Sequence, residues 1–450
     1  MNRFPIYNPN TNSIICDLEL MGFDETIKVI NKASLALESW KSLLPQERSD
    51  ILLKWYYLIN SQREEIAQIM HSEQGKPFKE ALVEVDYGNS FIKYYAEEVL
   101  RIYGEISPHF RKNQYCINIS EPIGVVGAIT PWNFPCAMIT KKIAPALASG
   151  CSIVLKPSEE TPLTAIKLRE LAITAGVPED VFGIVYGDYK EIGRAILESK
   201  QIKMISFTGS IGVGKYLMQE SAKTVKKLVL ELGGNAPCII LKDADLDLTV
   251  KKIMLGKFRN SGQACTAPNR IFVDKSIKDE FTNKLIKELS EAEIEIGPLI
   301  NQNAKNKTIE LLENALQNGA KILYQALAPQ QQKSAFYFPP TVIGNLNDEM
   351  KIAKEEAFSP IFSILTFSDL EEVIDRANNT NYGLAAYLFT SNLKKALSIS
   401  QELNFGVIGI NETSTSADKT IHGGFNESGL GREGGKPGLL EYYENKFIVF

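Results

Sequence analysis

Between residues 25 and 102 apolar residues recur about every 3.6 positions. In "DETIKVINKASLALESWKSL", "PQERSDILLKWYYLINSQREEIAQIMHSEQ" and "KEALVEVDYGNSFIKYYAEEVL" they draw one stripe per segment, which predicts amphipathic helices. Trp55, Tyr56, Phe91 and Tyr94 fall on these stripes and belong to the predicted core. From residue 123 the pattern changes. Short apolar runs, "IGVVGAIT", "CSIVLK", "FGIVYG", "KMISFTG", "KLVLELGG" and "APCIIL", alternate with helical stretches. A strand covered by helices on both faces has no polar side, so these runs predict buried parallel strands. Their alternation with helices predicts a doubly wound α/β sheet. After Gly233 a second α/β segment follows, with strands at "NRIFVD", "FSILTF" and "VIGIN" and helices at "SIKDEFTNKLIKELSEAE" and "DLEEVIDRANN". The chain closes on "LLEYYENKFIVF", whose last residues favour a strand with an edge that needs covering.

Composition narrows the class without changing this picture. A chain of 450 residues, 44% hydrophobic and 23% charged, is long enough for two domains. A net charge of -5 and no sustained basic cluster leave no footprint for nucleic acid or an anionic membrane, so a small molecule is the expected partner. Met1 to Gly22 has no continuous apolar h-region and no run approaches the roughly 18 apolar residues of a membrane span, so a cytoplasmic location is expected. Six cysteines (16, 116, 136, 151, 238 and 265) lack a C-x-x-C pair, and His71, His109 and His422 are isolated. No metal site or disulfide framework is expected, and any nucleophilic thiol would take a carboxylate as its base.

Cys265 is the candidate. Free cysteine is usually a small core hydrophobe, but "FRNSGQACTAPNR" surrounds it with loop-forming residues, and reacting groups are often carried on loops. Other stretches join it: "TPWNFP" at 130–135, "KPSEETP" at 156–162, "SFTGS" at 206–210, "LELGGNAP" at 230–237, "EEAFSP" at 355–360, "NYGL" at 381–384 and "SGLGREGG" at 428–435. Together, and in this order, they resemble the aldehyde dehydrogenase superfamily across almost the whole chain.

The resemblance implies a thiolate, Cys265, that adds to an aldehyde, and an oxyanion held by the Asn133 side chain and the Cys265 N–H. It implies Glu231 as the base that activates water against the resulting thioester. Taken alone, Asn133 reads as a turn residue and Glu231 as a strand-end surface charge. Trp132, Lys156, Glu159, Gly209, Ser210, Glu356 and Phe358 fall on the family's dinucleotide site. Gly209 and Ser210 start a helix beside the pyrophosphate. Lys156 and Glu159 meet the adenosine ribose, where a carboxylate repels a 2'-phosphate, so NAD is the preferred cofactor and NADP the second acceptor.

Residues 75–105 and 121–151 look most like the branch that oxidises succinate semialdehyde. That branch holds the distal carboxylate with two arginines and a serine, which map onto Arg259, Lys141 and Ser416. Lysine keeps the charge of the second arginine and loses its planar fork. In "IHGGFNESG", His422 replaces a pocket aromatic, either as a donor to the anionic substrate or as a neutral filler, and Asn426 replaces a lysine. Another carboxylated aldehyde, such as glutarate semialdehyde, an uncharged aldehyde, and a non-catalytic protein on this fold are the alternatives. The implied architecture is a dinucleotide-binding domain (1–112, 124–232 and 420–436), a catalytic domain (233–419) and an oligomerisation arm (113–123 and 437–450) of a homodimer or homotetramer.

Overall fold

The computed structural model describes residues 3–293, 295–329 and 334–450. Four helices, Phe23–Lys41, Pro45–Ser61, Arg63–Gln74 and Phe78–Glu98, take up the periodic N-terminal stretch. Trp55 and Phe91 are fully buried, with Tyr56 and Tyr94 packed at the margin of the same core. The third helix stops at Gly75, whose φ of 89° is the left-handed conformation that glycine tolerates without a Cβ penalty.

Two large sheets follow. The first runs, in spatial order, Gly429–Leu430, Lys227–Glu231, Ile202–Thr208, Val125–Ile129, Ser152–Lys156 and Phe182–Ile184. All neighbours are parallel except the first pair. From Val125–Ile129 the chain moves to one side for Ser152–Lys156, then crosses to the other for Ile202–Thr208. Where strand order reverses in an open α/β sheet, a crevice opens at the carboxyl ends of the strands, and ligands bind there. The loops holding Asn133 and Gly209 leave from those two ends.

The second sheet has the order Lys321–Gln325, Thr341–Gly344, Ile361–Phe367, Pro268–Asp274, Ala236–Ile240, Ala385–Phe389 and Val407–Ile410, parallel apart from its first strand. Every residue of Ala236–Ile240 is buried, the two-sided covering that an unbroken apolar run implies. A third, antiparallel sheet joins Tyr443–Val449, Tyr115–Pro122 and Glu105–Pro108. It therefore begins at Glu105, inside the stretch that the sequence assigns to the first domain. Residues 420–436 do return to the first sheet, through the pairing of Gly429 with Glu231. Among the described residues no helix is long and apolar enough to cross a membrane.

Candidate active site

Cys265 sits just beyond a tight turn. Asn260, Ser261 and Gly262 have φ of 51°, 58° and 79°, three left-handed residues in succession. Such conformations cost on the order of 1–3 kcal/mol each for residues with a side chain and persist only where surroundings enforce them. Here they do. The Asn260 N–H donates to Glu80 (2.5 Å), its Nδ2 donates to the Asn133 carbonyl (2.9 Å), and its Oδ1 accepts from Gln74 (2.8 Å). The buried Gln263 side chain donates to the Asn260 carbonyl (3.1 Å) and accepts from the Ile300 N–H (2.9 Å). Gly262 is needed on a second ground: a Cβ there would lie 2.3 Å from the Ser359 carbonyl oxygen.

The same network positions Asn133. Lys76 Nζ donates to the Asn133 carbonyl (2.9 Å) and pairs with Glu84, which accepts from the Cys136 N–H (2.9 Å) at the start of helix Ala137–Ser149. One amide proton of Asn133 goes to the Gln263 carbonyl (3.0 Å), leaving the second for a ligand. The Cys265 N–H has no acceptor among the described residues. A side-chain amide proton and a backbone N–H without partners beside a thiol match what a tetrahedral oxyanion requires.

Glu231 ends its strand with a side chain only 2% exposed, and both its oxygens lie 3.9 Å from Cys265 Sγ. Burial, then the Glu231 and Glu356 carboxyls, push the Cys265 thiol well above its ordinary range, so the resting group is a neutral thiol. His422 lines the same pocket as Cys265 and also meets the glutamate. Its Nε2 lies 3.2 Å from Glu231 Oε1, and its backbone exchanges two hydrogen bonds with Glu433 (2.7 and 2.8 Å). Glu433 pairs with Lys142 and lies 3.8 Å from Lys141. Burial works to raise the Glu433 carboxyl, but Lys142, Lys141 and His422 prevail and lower it.

With the exception of Lys156 and Glu159, all the site residues proposed from sequence line one pocket of about 300 Å³. Lys156 and Glu159 pair with each other one strand away, where Lys156 is in register with Ile129. Ser210 caps helix Ile211–Ser221, whose first N–H groups are an anion site. Thr208 Oγ1, buried beside them, has no hydrogen-bond partner. Across the pocket Glu356 accepts from the Gly234 N–H (3.1 Å), and its burial raises the carboxyl to about 8. Phe358, at φ 49°, presents its ring edge-on to Trp132 with centroids 5.6 Å apart. A helix N-terminus, an orphaned hydroxyl and an aromatic wall fit a nucleotide with a planar ring.

Arg259 stands where this pocket meets an outer cavity, and Ser416 lines both. The guanidinium lies over the Phe134 ring (4.5 Å to the centroid) and near Tyr87 (5.5 Å), yet no carboxylate of the described residues pairs with it. Lys141 differs: its 2% exposed side chain points its charge at Glu433 and the Phe91 ring. The sequence reading overlooked Lys76, Glu84, Asn260, Gln263, Lys142 and Glu433. For Glu84 and Lys142 the hint was a charge inside an otherwise apolar helical segment, whereas Lys76, Asn260, Gln263 and Glu433 lie outside the long helices and had none.

The aldehyde dehydrogenase family model matches residues 1–448. A mitochondrial succinate-semialdehyde dehydrogenase of Oryza sativa is 45% identical over 98% of this chain and 85% of its own length. The NADP(+) succinate-semialdehyde dehydrogenase of Escherichia coli is 41% identical over 98% of this chain and 93% of its own. The crystal structure of succinate-semialdehyde dehydrogenase from Burkholderia pseudomallei superposes with a TM-score of 0.97 at 40% identity, covering 100% of this chain and 94% of that one. The chain belongs to the aldehyde dehydrogenase family. It is an oxidoreductase that acts on aldehydes with NAD or NADP as acceptor.

Proposed function

We propose that the protein oxidises succinate semialdehyde to succinate, with NAD the preferred acceptor. The observation that carries this reading is the unpaired Arg259 guanidinium, stacked on Phe134 at the junction of the two cavities with Ser416 close by. A cation that makes no salt bridge among the described residues, where the nucleophile's pocket meets a second cavity, favours an aldehyde whose far end is an anion. The names of the relatives point to the same substrate.

Glu231, 3.9 Å from the thiol, takes the Cys265 proton directly or through one water. The thiolate adds to the aldehyde carbon, and the Asn133 amide and Cys265 N–H hold the oxyanion of the thiohemiacetal. The bound dinucleotide serves as hydride acceptor. Cys265 is then left as a thioester; Glu231, once it has passed the thiol proton to solvent, draws a proton from water, the hydroxide attacks the acyl carbon, and the thiolate leaves with the proton that Glu231 returns, releasing the acid. The Lys156–Glu159 pair supports NAD, because a carboxylate at the adenosine ribose accepts from free hydroxyls and repels a phosphate.

The three-stranded sheet supports an assembly of two or four subunits. Its outer strand Tyr443–Val449 exposes Phe447, Ile448 and Val449, an apolar edge of the kind that natural sheets cover. The sequence division into dinucleotide-binding and catalytic domains follows the two large sheets.

The test is NADH or NADPH absorbance with purified protein against succinate semialdehyde, glutarate semialdehyde and butyraldehyde. The highest kcat/KM is expected for succinate semialdehyde with NAD. Equal kcat/KM for butyraldehyde would reject the substrate, and a preference for NADP would reject the role of Glu159.

A further inference from the structure

Cys265, Glu231 and His422 come from three distant segments, and one donor atom of each lies within 4.8 Å of the others. We propose that this trio is a binding site for one thiophilic divalent cation, typified by Zn2+, and that filling it shuts the active site reversibly. It could not be foreseen from the spacing of cysteines and histidines, which reveals only sites built from nearby residues.

The geometry is close to that of a tetrahedral zinc site. With Zn–S of about 2.3 Å and Zn–N or Zn–O of about 2.0–2.1 Å, ligand atoms stand about 3.3–3.6 Å apart. His422 Nε2 and Glu231 Oε1 are 3.2 Å apart, and Cys265 Sγ is 3.9 Å from either Glu231 oxygen. Cys265 Sγ and His422 Nε2 lie within 4.8 Å of each other, so the thiol side chain has to turn towards the other two to complete the set. Thiolate, imidazole and carboxylate are the three donor types that zinc takes, and the fourth position faces the pocket, where water can fill it.

Charge also balances. On binding, the thiol releases its proton to solvent, and a dication with one thiolate and one carboxylate is neutral, which suits a buried position. No electron is transferred. Glu433 pairs with Lys142 and lies 3.8 Å from Lys141, so this neighbouring group keeps one net positive charge beside the neutral site. His422, which completes the site, stands where the motif it resembles has an aromatic residue. Occupation engages the nucleophile and the base together. The binding claim stands on the trio alone, whereas the shut-off rests on the catalytic roles proposed above.

Dialysed full-length protein is titrated with ZnCl2 against a chromophoric zinc chelator, with NADH production followed in parallel. One tight Zn2+ per chain is expected, with activity falling as the site fills and returning on addition of EDTA. Mg2+, which prefers six oxygen ligands, should do neither. His422→Phe and Cys265→Ala should each weaken Zn2+ binding at least tenfold. Unchanged affinity in folded His422→Phe would overturn the site. CoCl2 with unmutated protein gives a check that needs no variant: intense tetrahedral d–d bands and a thiolate charge-transfer band are expected, and a weak octahedral spectrum overturns the proposal. Tight binding with undiminished activity would overturn the shut-off. A protein that oxidises no aldehyde but shows these affinities and spectra would retire the function and keep the metal site.

Discussion

Replacing Arg259 with alanine separates substrate recognition from chemistry. In the wild type the guanidinium is half-buried between the two cavities, with Phe134 4.5 Å from it, no salt bridge among the described residues, and only the more distant attraction of the Glu80 carboxyl. A substrate carboxylate paired there loses its strongest partner in the variant, and truncating one member of a buried charge pair costs about 2–5 kcal/mol. Partial exposure lets solvent screen the pair, which places the loss near the lower end, about 2–3 kcal/mol. At about 1.36 kcal/mol per factor of ten, that is a fall of roughly 30- to 150-fold in kcat/KM. The ring contacts contribute about 0.5–1 kcal/mol to local stability, and their loss falls on every substrate alike. NADH absorbance is measured with succinate semialdehyde and with butyraldehyde, which carries a methyl in place of the carboxylate. The ratio of the two kcat/KM values should collapse by the full factor while the butyraldehyde value hardly moves. Equal proportional losses on both aldehydes would show that Arg259 supports the fold of the pocket, and would remove the argument from charge.

Cys265→Ala should abolish oxidation and leave dinucleotide binding intact by fluorescence titration. Glu231→Gln should give a burst of NADH followed by a slow phase if the glutamate acts mainly on water, and stopped-flow absorbance reads the burst; its absence would assign Glu231 to thiol activation instead. Glu356 has its carboxyl raised to about 8 against 4.5 in the unfolded chain, so between those values the folded protein binds the extra proton. Its contribution to stability is then fully present below about 4.5 and is lost as pH rises towards 8, and Glu356→Gln should flatten this trend by on the order of a few kcal/mol in denaturant melts. A parallel pH profile in the variant would refute the assignment. Deleting residues 445–450 should lower the association state seen by sedimentation velocity, and a full-length chain that is monomeric at micromolar concentration would contradict the assembly.

The chemistry-bearing motifs were legible because each is a short contiguous run: "GQACTAPNR", "TPWNFP" and "LELGG" bring Cys265, Asn133 and Glu231 to one pocket. Most buried strands were legible from unbroken apolar runs. Ala385–Phe389 was not, although "LAAYLF" is such a run and lies fully buried beside Ala236–Ile240, because two of its five residues are alanines, which have little preference for strands. The hairpin Arg3–Tyr7 with Ile14–Glu19 was missed because its exposed faces give no clear apolar pattern. His422 shows the deeper limit. Its partner Glu231 lies 191 residues away, and their meeting depends on antiparallel pairing at Glu433 and Gly429, long-range contacts that no local pattern encodes. The lysines at 76 and 142 were passed over for a related reason: a buried cation is recognisable only beside the carboxylate that the fold brings to it, Glu84 or Glu433.

The return of residues 420–436 to the first sheet also governs when the enzyme becomes complete during synthesis. A ribosome delivers the chain from the N-terminus, and domains usually fold as they emerge. Here the strand beside Lys227–Glu231, the histidine against Glu231 and the counter-charge for Lys142 are all made after the entire second sheet. The strand that completes the sheet of Tyr115–Pro122 comes later still. Pairings of such sequence separation close slowly. A nascent chain thus carries the Cys265 loop well before the groups that surround Glu231 exist, and a chain lacking 420–449 has the nucleophile without its finished pocket. The late segment thus supplies, in one stretch, the last strand of the first sheet, the neighbour of Glu231 and the partner of Lys142.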